Sequence, residues 1–225
     1  MPRTTRVKIC GLTDVEEAEH AVEAGAWAVG CILWEGSRRR CPLPQAELIA
    51  RTLRRRAEVV FVTVDEPLDR LCATLDATRP SMVQLHGTEG VAYADEVVRR
   101  TGVQVIKAAR VKDGADLQAL QTFRRVAAHL LDAHVEGVPG GTGRTWDWEL
   151  VRRHRSPVPR IVSGGLTPEN VGEAIDATRA WGVDVAGGTD ASPGRKDPQK
   201  VEAFLAAVRA ADERRAEAEA EEVPA

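Results

Sequence analysis

The sequence is short of the features that mark several large protein classes. Its longest apolar run, residues 26–34, falls far below the ~20 residues that span a bilayer. The opening Met1-Pro2-Arg3-Thr4-Thr5-Arg6 passes into a strand-like segment without an apolar signal region, so a cytoplasmic protein is expected. Cysteine is sparse. Cys10, Cys31, Cys41 and Cys72 form no CxxC and no Cys/His ligand spacing, which argues against a zinc site and for free thiols. Neither sign of charge dominates, since 31 Lys plus Arg stand against 34 Asp plus Glu for a net charge of -3. That balance gives no electrostatic case for nucleic acid or an anionic membrane as partner. A GxGxxG turn is also missing. Cys10-Gly11-Leu12-Thr13 follows the first strand instead, which argues against an open doubly wound sheet.

What is present is a repeating alternation of short apolar runs and amphipathic stretches. Strands are predicted over 7–10, 27–33, 59–64, 82–86, 103–109, 129–133, 160–163 and 183–186. Helices are predicted over 14–24, 44–55, 68–77, 90–100, 115–126, 146–153, 168–178 and 198–211. Thr13 is expected to cap the first helix, with Glu16 completing a capping box, and Gly25 to end it. Eight strand–helix units of roughly 25–30 residues match a single-domain (β/α)8 TIM barrel. Near-continuous apolar strands suit a parallel sheet buried on both faces. The barrel is expected to occupy 1–211. The Glu/Ala-rich tail, 212–225, either extends the last helix or frays.

In such a barrel, chemistry sits where the strands end. Strand one ends in Lys8-Ile9-Cys10, strand two leads to Ser37-Arg38-Arg39-Arg40, strand four ends at His86, strand five carries Lys107 and strand six ends at Asp132. Each has a plainer reading. Cys10 is possible as a small buried hydrophobe, His86 as a loop anchor, Lys8 and Lys107 as halves of ion pairs, and the arginine run as a solvated loop. Asp132, behind Leu130-Leu131 on a strand expected to be buried, is costly without a partner or a task. Gly164-Gly165 and Gly187-Gly188 follow strands seven and eight, the usual barrel site for a phosphate held by backbone N–H groups. The glycine-rich loop 137–143 reads as a mobile segment beside the site.

These residues also fall into a series. Lys8-Ile9-Cys10-Gly11-Leu12-Thr13, Val83-Gln84-Leu85-His86-Gly87 and Leu130-Leu131-Asp132-Ala133 resemble the phosphoribosylanthranilate isomerase family. So do the segments 140–148, 163–171 and 182–185 with 193–197. The resemblance runs from about Val7 to Phe204. It implies a (β/α)8 enzyme of tryptophan biosynthesis that turns N-(5-phosphoribosyl)anthranilate into 1-(2-carboxyphenylamino)-1-deoxyribulose 5-phosphate, an Amadori rearrangement without metal or cofactor. It also implies Cys10 as general base and Asp132 as general acid. Lys8, Arg39, His86, Gly164, Gly165, Gly187 and Gly188 are then the substrate-binding residues. Lys8 is expected to stabilise the Cys10 thiolate, and burial with the nearby thiolate to raise Asp132. Arg39 is expected to take the anthranilate carboxylate on the side of the mouth opposite the phosphate glycines. The partner implied is a small phosphorylated substrate, with the protein a monomer or homodimer. Two departures stand out: Arg38 replaces the family's proline, and Ala186-Gly187-Gly188 replaces its usual Ser-Ser-Gly. Two other readings stay open. One is the same chemistry on another N-phosphoriboside, such as the histidine-pathway aminoaldose; the other is a non-catalytic phosphate-ligand barrel.

Overall fold

The computed structural model describes residues 4–132, 151–152 and 154–221. Eight parallel strands close into a barrel in chain order. They are β1 (Arg6–Cys10), β2 (Ala28–Ile32), β3 (Glu58–Thr63), β4 (Met82–Leu85), β5 (Gln104–Arg110), β6 (Ala128–Asp132), β7 (Arg160–Ser163) and β8 (Gly182–Val185). Closure is made by β1, which pairs with β2 on one side (Lys8 opposite Ala28) and with β8 on the other (Lys8 opposite Asp184). The helices are α1 (Val15–Glu23), α2 (Leu43–Thr52), α3 (Leu68–Thr78), α4 (Val91–Thr101), α5 (Gly114–Gln121), α6 (Val171–Thr178) and α7 (Pro198–Glu221). The expected loop 137–143 and the motif 140–148 lie outside the described residues. So does the expected helix 146–153, except for Val151 and Arg152, which are helical.

Strand alternation divides the apolar residues into two cores. Val7, Ile9, Val29, Phe61, Val83 and their neighbours pack outward under the helices. Ala28, Val60, Met82, Ile106, Ala108, Ala128, Leu130 and Ile161 fill the barrel itself. Trp27 and Trp181, each just ahead of a strand, meet edge to face with ring centroids 5.0 Å apart and pack against this inner core. The interior is thus plugged at the N-terminal ends of the strands, and polar inward positions gather towards the other end. Away from that end, on the outer face, buried His129 meets His154 edge to face, with Nδ1 and Nε2 2.9 Å apart. Burial pushes both imidazoles down, His154 to about 4.

Several element ends differ from expectation. Asp14, not Thr13, caps α1: its carboxylate accepts from the Glu16 and Glu17 amides at 2.9 and 3.2 Å. Thr13 Oγ1 instead donates to the Gly194 carbonyl at 2.7 Å. One Asp14 oxygen, Oδ1, takes both amides, and a long-range partner claims the threonine. Helix α2 stops at Thr52 and α5 at Gln121, ahead of the predicted ends, and α6 starts at Val171 rather than 168. Between β8 and α7, where the sequence predicts no strand, the chain forms a short turn, Gly187–Thr189, and a two-stranded hairpin, β9 (Asp190–Ser192) and β10 (Arg195–Lys196). Helix α7 continues through the tail to Glu221.

Candidate active site

Two inward residues of β1 share one face. Lys8 is fully buried, and its ammonium donates to Asp184 Oδ1 on β8 at 2.8 Å. Ser163 Oγ on β7 donates to the other Asp184 oxygen at 3.0 Å. Cys10, two residues along, is also buried. Room for both side chains comes from Gly30 on β2. A Cβ there would lie 2.8 Å from Cys10 Sγ and 3.0 Å from Lys8 Nζ. Burial penalises the Lys8 ammonium, but Asp184 and Cys10 outweigh that and hold it above its usual value. The Cys10 thiol is pushed up by burial; Lys8 pulls it down, and Asp184 pushes it up again. The expected thiolate is therefore not the favoured form in the free site. Lys8 is present beside it, but much of its charge is answered by Asp184.

Across the barrel, Asp132 ends β6 with its side chain one-fifth exposed at the mouth. It is not sealed in the strand, so its burial is only partial. His86 Nε2 lies 3.3 Å from Asp132 Oδ2. The Gln84 amide Nε2 is 3.0 Å from His86 Nδ1. An amide nitrogen only donates, so Nδ1 accepts and the neutral ring carries its proton on Nε2. Gln84 and His86 share the inward face of one strand by simple alternation. Lys107 points outward from β5 as half of an ion pair. Its ammonium meets Glu89 Oε2 at 2.7 Å and the Gly87 carbonyl at 2.8 Å. Glu89 also accepts from the Asp65 and Gly87 amides, each at 2.9 Å, tying the loops after β3 and β4 together.

The glycine loops follow β7 and β8 as expected. Gly164 and Gly165 have φ of 97° and 66°, a left-handed region closed to most side chains. Asn170 braces this loop: its Oδ1 accepts from the Thr167 amide at 2.8 Å, and its Nδ2 donates to the Gly165 carbonyl at 3.0 Å. A Cβ on Gly188 would collide with the Leu166 carbonyl, so the two loops touch only because that residue is glycine. Of the arginine run, Arg38 and Arg40 are exposed and Arg39 is half-buried. Arg40 pairs with Glu35 at 3.0 Å. Arg39 reaches over Gly11 and places Nη2 3.1 Å from where a Gly187 Cβ would stand. Its Nε donates to Asp190 Oδ2 at 2.6 Å. The expected separation of Arg39 from the phosphate glycines does not hold, because the loops after β2 and β8 flank the same strand, β1.

A cavity of about 1090 Å³ opens on the β2–β6 side, lined among others by Ile32, Trp34, Val62, His86, Ala108 and Asp132. It is large enough for a ring-bearing ligand. Among the described residues no cluster of three His, Cys, Asp or Glu could hold a metal ion, and no helix is long and apolar enough to cross a membrane. Sequence reasoning missed Gly30, Asp184, Glu89 and Asp190. A glycine inside a strand and a carboxylate inside Val183-Asp184-Val185 were the available signals for the first two.

Fold and site together define a (β/α)8-barrel enzyme with acid–base groups around its mouth and glycine loops after its last two strands. Residues 7–207 match the family model described as N-(5'-phosphoribosyl)anthranilate (PRA) isomerase. The chain is 43% identical over 200 residues to the N-(5'-phosphoribosyl)anthranilate isomerase of Geobacter metallireducens, covering 89% of this chain and 96% of that one. It is 42% identical over 209 residues to that of Pseudomonas fluorescens, with coverages of 92% and 97%. The phosphoribosyl anthranilate isomerase structure from Thermotoga maritima matches with a TM-score of 0.85 at 35% identity, covering 92% of this chain and all of that one. The chain belongs to the phosphoribosylanthranilate isomerase family.

Proposed function

We propose that the protein isomerises N-(5-phosphoribosyl)anthranilate to 1-(2-carboxyphenylamino)-1-deoxyribulose 5-phosphate, a step of tryptophan biosynthesis. The observation that carries this reading is the pairing, in a chain of this family, of an inward thiol at the end of β1 with an inward carboxyl at the end of β6. The reaction needs an acid and a base on one substrate. Asp132 gives a proton to the furanose ring oxygen, the C1′–O bond breaks, and a Schiff base forms. Cys10 then takes the C2′ proton, and the enolamine tautomerises to the ketone. Transfer of one proton from Cys10 to Asp132 makes both reactive forms at once without changing the net charge. Lys8 and Lys196 are the cations that favour the thiolate. His86, whose Nε2 lies 3.3 Å from Asp132 Oδ2, is the neighbour placed to hold the acid.

The phosphate is placed on main-chain groups of Gly164, Gly165, Gly187 and Gly188, and the anthranilate carboxylate on Arg39, the one arginine of its run that turns inward. The apolar cavity beside Trp34 receives the aromatic ring. The same reading places the protein in the cytoplasm as a monomer or homodimer. A neighbouring structure describes the Thermotoga maritima enzyme as dimeric.

Anthranilate fluorescence tests the reading, because emission is lost on conversion. The purified protein should extinguish it; an unchanged trace rejects the proposed reaction. Asp132→Asn should abolish turnover and leave product binding largely intact. Residual kcat above about a tenth of wild type would remove Asp132 as the acid, since acid catalysis contributes about 10²–10⁴-fold.

A further inference from the structure

The side chain opposite Arg39 carries a role of its own. Asp190 opens the β9–β10 hairpin, and its carboxylate is buried, with only 6% of the side chain exposed. Each of its oxygens takes one cation: Oδ2 the Arg39 Nε at 2.6 Å, and Oδ1 the Lys196 ammonium, also at 2.6 Å. Lys196 donates in addition to the Ala186 carbonyl at 2.8 Å, which anchors the hairpin to the end of β8. The hairpin is fixed from the other side as well. The Lys196 amide and Arg195 Nε both reach Glu17 on α1, at 3.0 and 3.1 Å, and Thr13 holds the Gly194 carbonyl. Asp190 is thus a rigid acceptor on a braced arm, while Arg39 sits on a loop and crosses over Gly11. That crossing depends on glycine, since a Cβ on Gly11 would stand 2.7 Å from Arg39 Cδ.

A guanidinium offers an anion two bidentate edges that avoid its stem, Nε with one Nη or the two Nη atoms. Asp190 occupies Nε, and the Nη atoms carry no hydrogen bond among the described residues. We propose that Asp190 is a positioning residue that fixes Arg39 through Nε and so presents the Nη1–Nη2 edge to the substrate carboxylate. The inference rests on the isomerase reading and on Arg39 as the carboxylate partner. Without Asp190 the arginine keeps its charge but loses its heading.

The experiment measures steady-state kinetics for wild type, Asp190→Asn, Asp190→Glu, Arg39→Ala and the double variant Arg39→Ala/Asp190→Asn, with anthranilate and inorganic phosphate as inhibitors. Wild-type turnover, read first, tests the isomerase reading separately. Asp190→Asn should raise KM about tenfold with kcat within about threefold, and weaken inhibition by anthranilate but not by phosphate. Asp190→Glu should recover most of the KM. In the Arg39→Ala background, Asp190→Asn should change KM less than about twofold, because the group it positions is gone. A purely structural strut gives the opposite pattern: lower Tm and kcat with unchanged KM, or full additivity with Arg39→Ala. Either result overturns the proposal, as does a loss confined to phosphate inhibition.

Discussion

At Cys10 the balance of charge decides what the thiol can do. Burial and Asp184 hold it protonated, and Lys8 works against them. If one proton is shared between Cys10 and Asp132, the reactive pair persists until pH exceeds the raised thiol pKa, where that proton is lost. The alkaline limb of kcat/KM should therefore lie above the free-thiol value of about 8.5. Asp184→Asn removes an anion that raises Cys10 and leaves Lys8 unanswered, so the limb should move down in pH; a limb that stays or rises would separate Asp184 from the base. The same raised pKa makes the native state hold its proton longer than the unfolded chain, so its contribution to stability is complete below about 8.5 and declines above it. Gly30→Ala is the steric counterpart. A methyl 2.8 Å from Cys10 Sγ should cost about 1–3 kcal/mol in urea titration and lower kcat about tenfold or more, whereas unchanged kinetics would show that the pair tolerates displacement. Lys8, Cys10 and Asp132 were legible in the sequence as polar groups among apolar neighbours. The partner of Lys8 was not, because Asp184 lies 176 residues away and only barrel closure brings it near.

Elements were legible where period and punctuation agreed. The β-branched core of β3, the glycine ending α4 and the glycine pairs after β7 and β8 are local signals, and the strands stand where those signals put them. Helix ends such as those of α2 and α5, and the β9–β10 hairpin, depend on tertiary partners that local composition does not encode. The loops after β3 and β4 show how such partners matter to the site. Glu89, with its side chain 2% exposed, joins Lys107 on β5 to the amides of Asp65 and Gly87, next to His86. Glu89→Gln leaves a buried ammonium without its counter-charge, which costs on the order of 3–5 kcal/mol. For a domain of this size that is a fall in Tm of at least about 6 °C. The freed loops should also lower kcat, because His86 loses a fixed neighbour. A variant with wild-type Tm would show that the Lys107 ammonium finds solvent or another acceptor at no cost.

On the scale of the whole molecule, a barrel is only as stable as its closure, and the two chain ends meet at the seam. The Thr5 amide and hydroxyl, one residue before β1, donate to Asp212 Oδ2 and Oδ1 at 2.7 and 2.6 Å. Asp212 lies in the segment whose composition reads as tail, but the helical period says otherwise. Val201, Phe204, Leu205, Val208 and Ala211 form the buried stripe of α7, and Asp212 follows Val208 by one turn on the same face. The stripe therefore ends in a carboxylate that clamps the first strand to the last helix, while residues 217–221 are exposed. Asp212→Ala should remove two hydrogen bonds to a charged acceptor and destabilise the full-length protein by roughly 1.5–3 kcal/mol. In urea the midpoint should fall with the slope unchanged, because the surface exposed on unfolding is the same. kcat and KM should stay at wild-type values, since the clamp lies at the N-terminal end of β1 and the chemistry at the other. Deleting 216–225 should leave the midpoint almost where it is. If that deletion destabilises as much as Asp212→Ala, the stabilising contact is the helix extension itself and not the seam between the chain ends.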